Sequence, residues 1–197
     1  MTAGKIADEA LDQLFREARS FNTWSEKAVQ PADFQRIFET AIWGPTTSNS
    51  NPARFVFVHT AKGKERLRPL LSPGNVDKTM SAPCTVIVAW DEHFYRLMPQ
   101  LFPSRDMSGV FEGKPDLIGE TGFRSSTLQG AYFMLAARAL GFDCGPMSGF
   151  DRAGVDAEFL VEQGWKSNFL CNLGIGTAEG LFPRNPRPRY DQACIEI

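Results

Sequence analysis

Arg19, Ser20 and Asn22 crowd one short turn, and Arg184, Arg187 and Arg189 crowd a proline-stiffened strip at the far end of the chain. Arginine forks match the geometry of phosphate oxygens, so both clusters can hold an anion. Each also fits a solvated chain segment. Between them lies Pro45-Thr46-Thr47-Ser48-Asn49-Ser50-Asn51-Pro52, the most polar loop of the chain. It can offer hydroxyls and amides to a ligand, although the same residues favour ordinary turns. A second turn, Cys144-Gly145-Pro146-Met147-Ser148-Gly149, follows an apolar helix. Its glycines and proline suit either backbone brought close to something flat or bulky, or a plain helix cap and loop. Acid–base groups are scarce: the two histidines, His59 and His93, have no metal-ligand partner at helical spacing. A zinc centre and a Ser-His-Asp triad are therefore unsupported, and we expect no metal. A redox enzyme that borrows a cofactor for its chemistry fits that shortage.

The elements that must position these groups follow from periodicity. Ala7–Arg19 reads as an amphipathic helix. Pro31 suits the first position of a second helix whose apolar face is Phe34, Ile37, Phe38, Ala41 and Ile42, ending at Gly44-Pro45. Phe55–Val58 reads as a strand, Lys62–Leu71 as a short helix and Ser72–Asn75 as a turn. The near-continuous apolar run Pro83–Trp90 reads as a central strand. Residues 95–115, with mixed charge, aromatics and prolines, read as a lid or excursion. The chain is organised around Ser125–Leu140, a helix apolar almost all round, with Ser125 or Ser126 as its N-cap and Gly141 as a left-handed stop. Leu128, Ala131, Tyr132, Leu135, Ala136 and Ala139 share one face, to be buried in a core or a subunit interface. Asp156–Gln163 reads as a helix and Phe169–Gly176 as a strand.

The 197 residues suit one domain, with 43% hydrophobic and 22% charged residues marking a globular chain. A net charge of −2 provides no basic field for nucleic acid or an anionic membrane. The first residues carry acids where a signal peptide needs an apolar core, and the uncharged run between Arg124 and Arg138 is shorter than the ~20 residues a bilayer span needs. A soluble, cytoplasmic protein is expected. None of the four cysteines forms a C-x-x-C pair, and Cys84 and Cys171 read as buried free thiols. Gly174-x-Gly176-x-x-x-Gly180 fails the dinucleotide fingerprint: it has one residue too many and no helix follows.

In order and spacing, five stretches resemble the FMN-dependent nitroreductase family along essentially the whole chain. They are Arg19-Ser20, Pro45-Thr46-Thr47-Ser48-Asn49, Ser125–Leu140, Pro146-Met147-Ser148-Gly149 and Arg187-Pro188-Arg189. The forms Ala-Arg-Ser-x-Asn-x-Trp and Gly-Pro-Met-Ser-Gly-Phe-Asp look most like its malonic semialdehyde reductase branch. The resemblance implies an α+β fold of three layers, a mixed and mostly antiparallel sheet between helices, with the long central helix at a dimer interface. It implies a single domain over 1–197, bound FMN, and NADH or NADPH as reductant. Arg19, Ser20, Asn22, Arg187 and Arg189 would hold the phosphate and ribityl chain. Asn75 and Lys78 would stand near the flavin pyrimidine. Thr46, Thr47 and Asn49 would reach the flavin of the partner subunit in a homodimer. Pro146, Met147, Ser148 and Gly149 would lie along the ring, whose N5 carries the hydride, so no side chain is expected to be catalytic. Where many members carry Arg-Arg-Ser, this chain has Ala18-Arg19-Ser20, which shifts phosphate holding toward the tail. The implied reaction is ping-pong reduction of a small aldehyde, malonic semialdehyde to 3-hydroxypropionate. A nitroaromatic or quinone acceptor, or flavin sequestration without turnover, are the alternatives. A short carboxylate-bearing aldehyde needs a cation to orient it. Arg54, just past the polar loop, is the first candidate, with Arg96 and Arg105 behind it.

Overall fold

The computed structural model describes residues 4–197. Chain order begins with α1 (Asp8–Leu11), which continues as a single π-turn over Asp12–Arg16 and stops short of the expected Arg19. Helix α2 (Pro31–Ala41) starts where Pro31 predicts, and the Gln30 N–H donates to the Asp33 carboxylate at 3.0 Å. Strand β1 (Ala53–Val58), α3 (Ala61–Leu67) and α4 (Val76–Ser81) lead to β2 (Cys84–Asp91). The short helices α5 (Met98–Leu101) and α6 (Ser108–Phe111) lie in the stretch expected to be irregular. They fold around a small cluster of Phe94, Met98 and Phe111. Then come α7 (Pro115–Ala139), β3 (Asp143–Met147), α8 (Arg152–Val155), β4 (Trp165–Gly174) and α9 (Tyr190–Ala193).

The sheet order is β1-β2-β4-β3, and all three pairings are antiparallel. The parallel component of the expected mixed sheet is limited to an isolated bridge, Ser20 to Cys144. Alternation along β2 divides the core in two. Val86 and Val88 face α2 and α7 with Phe34, Ile37, Phe133 and Ala137, while Ile87 faces the other layer with Leu67, Leu170, Val155 and Leu160. The architecture is thus helices, sheet, helices, with β2 buried along its length as its continuous apolar run requires.

The long helix differs from expectation in start and in facing. It begins at Pro115 in its first turn, about ten residues before the serines. Ser125 and Ser126 are fully buried in mid-helix and cap nothing. Ser126 accepts from the Asn168 amide of β4 at 2.9 Å, and a turn further on the sheet comes closer still: a Cβ on Gly130 would sit 2.6 Å from the Phe169 ring. The core face is Ser125, Gln129, Phe133, Ala136 and Ala137. Most of the face read as apolar turns outward instead, leaving Leu128 45% and Tyr132 39% exposed, with Phe123 beside them. Gly141 stops the helix at φ +81°, as expected, and the Phe142 N–H returns to the Ala137 carbonyl at 2.9 Å. Among the described residues no helix is long and apolar enough to cross a membrane. All four cysteines are free thiols; Cys84, Cys144 and Cys171 are buried and Cys194 is exposed.

Candidate functional site

The turn after α1 is stitched to the ends of β3 and β4. The Phe21 N–H donates to the Cys144 carbonyl at 3.1 Å, and the Ser25 N–H to the Ile175 carbonyl at 2.8 Å. Gly145 is required at this seam, because a Cβ there would stand 2.5 Å from the Phe21 carbonyl oxygen. The tail folds back over the same turn. Arg184 donates to the Ala18 carbonyl at 3.0 Å, Arg19 donates to the Phe182 carbonyl, and the Thr177 N–H reaches the Thr23 carbonyl at 3.1 Å. Tail and first turn, remote in sequence, thus meet in space.

They enclose a cavity of about 540 Å³. Arg19, Ser20 and Asn22 line it from the turn, Lys78 from α4, Pro146 from β3, and Arg187 from the tail. Arg184, the other arginine of the proline-stiffened strip, also lines it, as does Arg138 at the end of α7, a cation that sequence reasoning did not single out. Among the described residues the wall therefore carries five cations and no carboxylate, which is a site for a multiply charged anion. Arg138 sat in the sequence as a helix-terminal cation, the usual complement to a helix dipole, so nothing marked it.

Arg189 is not at the cavity. It donates to Asp191 at 2.7 Å on the exposed start of α9, and Arg184 occupies the place expected for it. Asn75 and the turn after β3 do come together: the Asn75 amide donates to the Gly149 carbonyl at 2.7 Å. The Ser72 N–H reaches the same carbonyl at 3.1 Å. Ser148 is exposed, but the Met147 side chain is a core residue, in contact with the Thr79 hydroxyl at 3.4 Å.

Lys78 is held from beneath. Its carbonyl accepts from the Trp24 indole and from the Asn172 amide, each at 3.1 Å. Asn172 in turn accepts from the Thr85 hydroxyl at 2.8 Å. Below lies Lys64, only 5% exposed, whose ammonium donates to the Thr79 carbonyl at 2.6 Å and to Thr85 at 2.7 Å. Burial without a carboxylate lowers Lys64 to about 8, and burial lifts the neighbouring Cys84 thiol to about 12. Cys171, touching Cys144 and fully buried, is also pushed well above the ordinary thiol range.

The polar loop lies elsewhere, over α7. Ser48, Asn49 and Asn51 all have positive φ, near 50°. Such residues persist only where surroundings over-determine them. Here the Asn51 N–H donates to the Thr46 hydroxyl at 3.1 Å, and the Thr47 N–H approaches the Ser125 hydroxyl at 3.4 Å. The Asn49 amide donates to the Leu101 carbonyl at 2.7 Å. Gln129, unremarked in the sequence, clamps the loop: it donates to Asn51 at 3.0 Å and accepts from the Ala53 N–H at 2.9 Å. Thr46, Thr47 and Asn49 do not line the basic cavity of their own chain. Nor is Arg54 a free cation. It pairs with Asp91 at 2.8 Å, donates to the carbonyls of Asn51, Pro52 and Ala53, and lies 5.8 Å from the Trp165 ring centroid.

The sequence and the fold match a known group of proteins. The Nitroreductase family profile matches residues 15–175, and the chain belongs to that family. A protein of Rhodopseudomonas palustris (strain TIE-1), named "Putative NADH dehydrogenase/NAD(P)H nitroreductase", is 57% identical over 189 residues, covering 96% of each chain. One of the same name from Stutzerimonas stutzeri (strain A1501) is 52% identical over 190 residues, covering 96% of this chain and 97% of its own. A solved structure from Exiguobacterium sibiricum 255-15, described as "a putative nitroreductase in complex with FMN", superposes with a TM-score of 0.84. Its identity is 20%, over 98% of this chain and 100% of its own.

Proposed function

We propose that this chain is an FMN-dependent NAD(P)H oxidoreductase that works as a homodimer. The observation that carries the reading is the acid-free cavity with its five cations, built where first turn, α4, α7 and tail converge. The donors present fit a phosphate-bearing flavin. Arg19, Ser20 and Asn22 with Arg184 and Arg187 would hold the phosphate and ribityl chain. Lys78 would place a cation beside the pyrimidine, where reduction leaves negative charge. Asn75, already tied to Gly149, would fix the height of the Pro146–Gly149 turn against the ring. FMN, when bound, supplies hydride chemistry, accepting from NADH or NADPH and passing to a second substrate. The relatives' names favour this class of reaction, and the FMN described for the superposed structure favours the cofactor.

The dimer rests on α7, whose Phe123, Leu128 and Tyr132 form an outward apolar stripe. Pairing through it would cover that stripe and set Thr46, Thr47 and Asn49 against the other subunit's flavin. Malonic semialdehyde remains our proposed acceptor, on the likeness of the two sequence forms described above. A nitroaromatic acceptor is the second reading, favoured by the names of the relatives. Arg54 would meet a substrate carboxylate only by leaving Asp91, so its own part in this proposal is to hold the polar loop to β1.

The test is direct. The purified protein should carry flavin absorbance and run at dimer mass at micromolar concentration. It should oxidise NADH or NADPH faster with malonic semialdehyde than with a nitroaromatic. The reverse preference selects the second acceptor; flavin with no turnover on either selects sequestration. A monomer that retains flavin overturns the dimer.

A further inference from the structure

Arg138 stands on the cavity wall with most of its hydrogen-bonding capacity unspent. One of its terminal nitrogens donates to the Leu14 carbonyl at 3.1 Å. Its Nε is buried and has no partner, and among the described residues the guanidinium makes no ion pair. A half-buried cation beside four others, with no counter-ion, is unfavourable unless an anion joins them. The Nε–H is closed to solvent, so the group an incoming anion would meet is the other terminal nitrogen, which has no partner among the described residues.

Position adds a second argument. Arg138 is the one cavity cation carried by the long helix, and Ala18, which lines the same cavity, has no charge to offer. Its backbone is fixed: its carbonyl accepts from the Gln13 amide at 2.6 Å and from the Gly141 N–H at 3.0 Å. The guanidinium itself has one tether, the Leu14 carbonyl in the π-turn after α1. Arg184 and Arg187, by contrast, sit on exposed tail.

We infer that Arg138 is a phosphate-binding residue of this site, supplying from the end of α7 the charge that Ala18 cannot supply from the first turn. This rests on the flavin reading above. The inference concerns the phosphate alone, so riboflavin, which lacks it, is the control ligand. Full-length protein freed of flavin should be titrated with FMN and with riboflavin, following quenching of flavin fluorescence. In Arg138→Gln, FMN should bind about tenfold more weakly or worse, as expected for loss of a charge-assisted bond, with riboflavin changed less than about twofold. Arg138→Lys should recover part of the loss. The salt dependence of FMN binding should flatten in Arg138→Gln. Equal losses for both flavins would overturn the inference by showing that Arg138 acts through Leu14 and the fold. Unchanged FMN binding would overturn it as well. Binding of neither flavin by the unaltered protein would overturn the cofactor reading itself, and this inference with it.

Discussion

The cavity has two walls of the same sign and opposite construction. The inner wall, Lys78 with Pro146 and Arg138, is carried by α4, β3 and the end of α7, and its key backbone group, the Lys78 carbonyl, is gripped by Trp24 and Asn172 above a buried lysine. The outer wall, Arg19, Arg184 and Arg187, is stitched by bonds to peptide carbonyls at the surface. Hydrogen bonds sealed from water depend strongly on every member being present, whereas exposed contacts cost little to break. The inner wall is thus set by folding, and the outer wall gains its order from what it holds. The difference should show as stability on one side and affinity on the other.

The largest effect should come from the charge beneath the inner wall. Lys64 titrates near 8 in the fold against an ordinary 10.5. Between those values the unfolded chain holds the proton and the folded chain does not, so stability should rise with pH across that window. Below about 8 the fold carries the full cost of charging, on the order of 3 kcal/mol. Cys84, raised to about 12, works in the opposite sense above the ordinary thiol range. The clean measurement is therefore the difference between the parent and Lys64→Met in urea unfolding, from pH 7 to 10. A parallel pair of curves would mean that Lys64 is solvated and the inner wall is not what we describe.

Thr85→Val comes next. It removes the acceptor for Lys64 and the donor to Asn172 together, and should cost about 2 kcal/mol of stability, read as a lower urea midpoint. An unchanged midpoint would make the relay incidental. Smallest in stability, and informative for that reason, are the tail variants. Arg187→Ala should leave the urea midpoint where it was yet weaken FMN by about tenfold. Arg189→Ala, already neutralised by Asp191, should weaken FMN by less than about twofold. Equal effects of the two would place the loaded tail differently from the free one.

How far the sequence foretold these walls depended on the range of the interaction. Strand β2 and the outer stops of α2 and α7 were legible, because an apolar run, a proline at a helix start and a glycine at φ +81° act locally. The clustering of Arg19 with Arg187 was anticipated through family likeness and not through any local signal. Ser125-Ser126 mimics a cap in the sequence, whereas α7 starts about ten residues earlier, at Pro115. The two serines instead serve neighbours remote in sequence: Ser126 accepts from the Asn168 amide of β4 and Ser125 meets the Thr47 N–H. Gln129 clamps a backbone 76 residues away, and Arg184 displaces Arg189 by the direction a chain end takes. Neither leaves a trace in spacing.

The distribution of the cysteines has a practical consequence. The thiolate is the reactive form, and three of the four thiols are closed to solvent, with Cys84 and Cys171 also far above their usual titration range. Cys194, directly after α9 in the tail, stands alone in the open. A maleimide dye should therefore mark one atom of the native protein without any engineering. Energy transfer between that dye and a yellow chromophore in the cavity would then serve as a ruler, reading the tail's distance from its cargo as the cargo comes and goes.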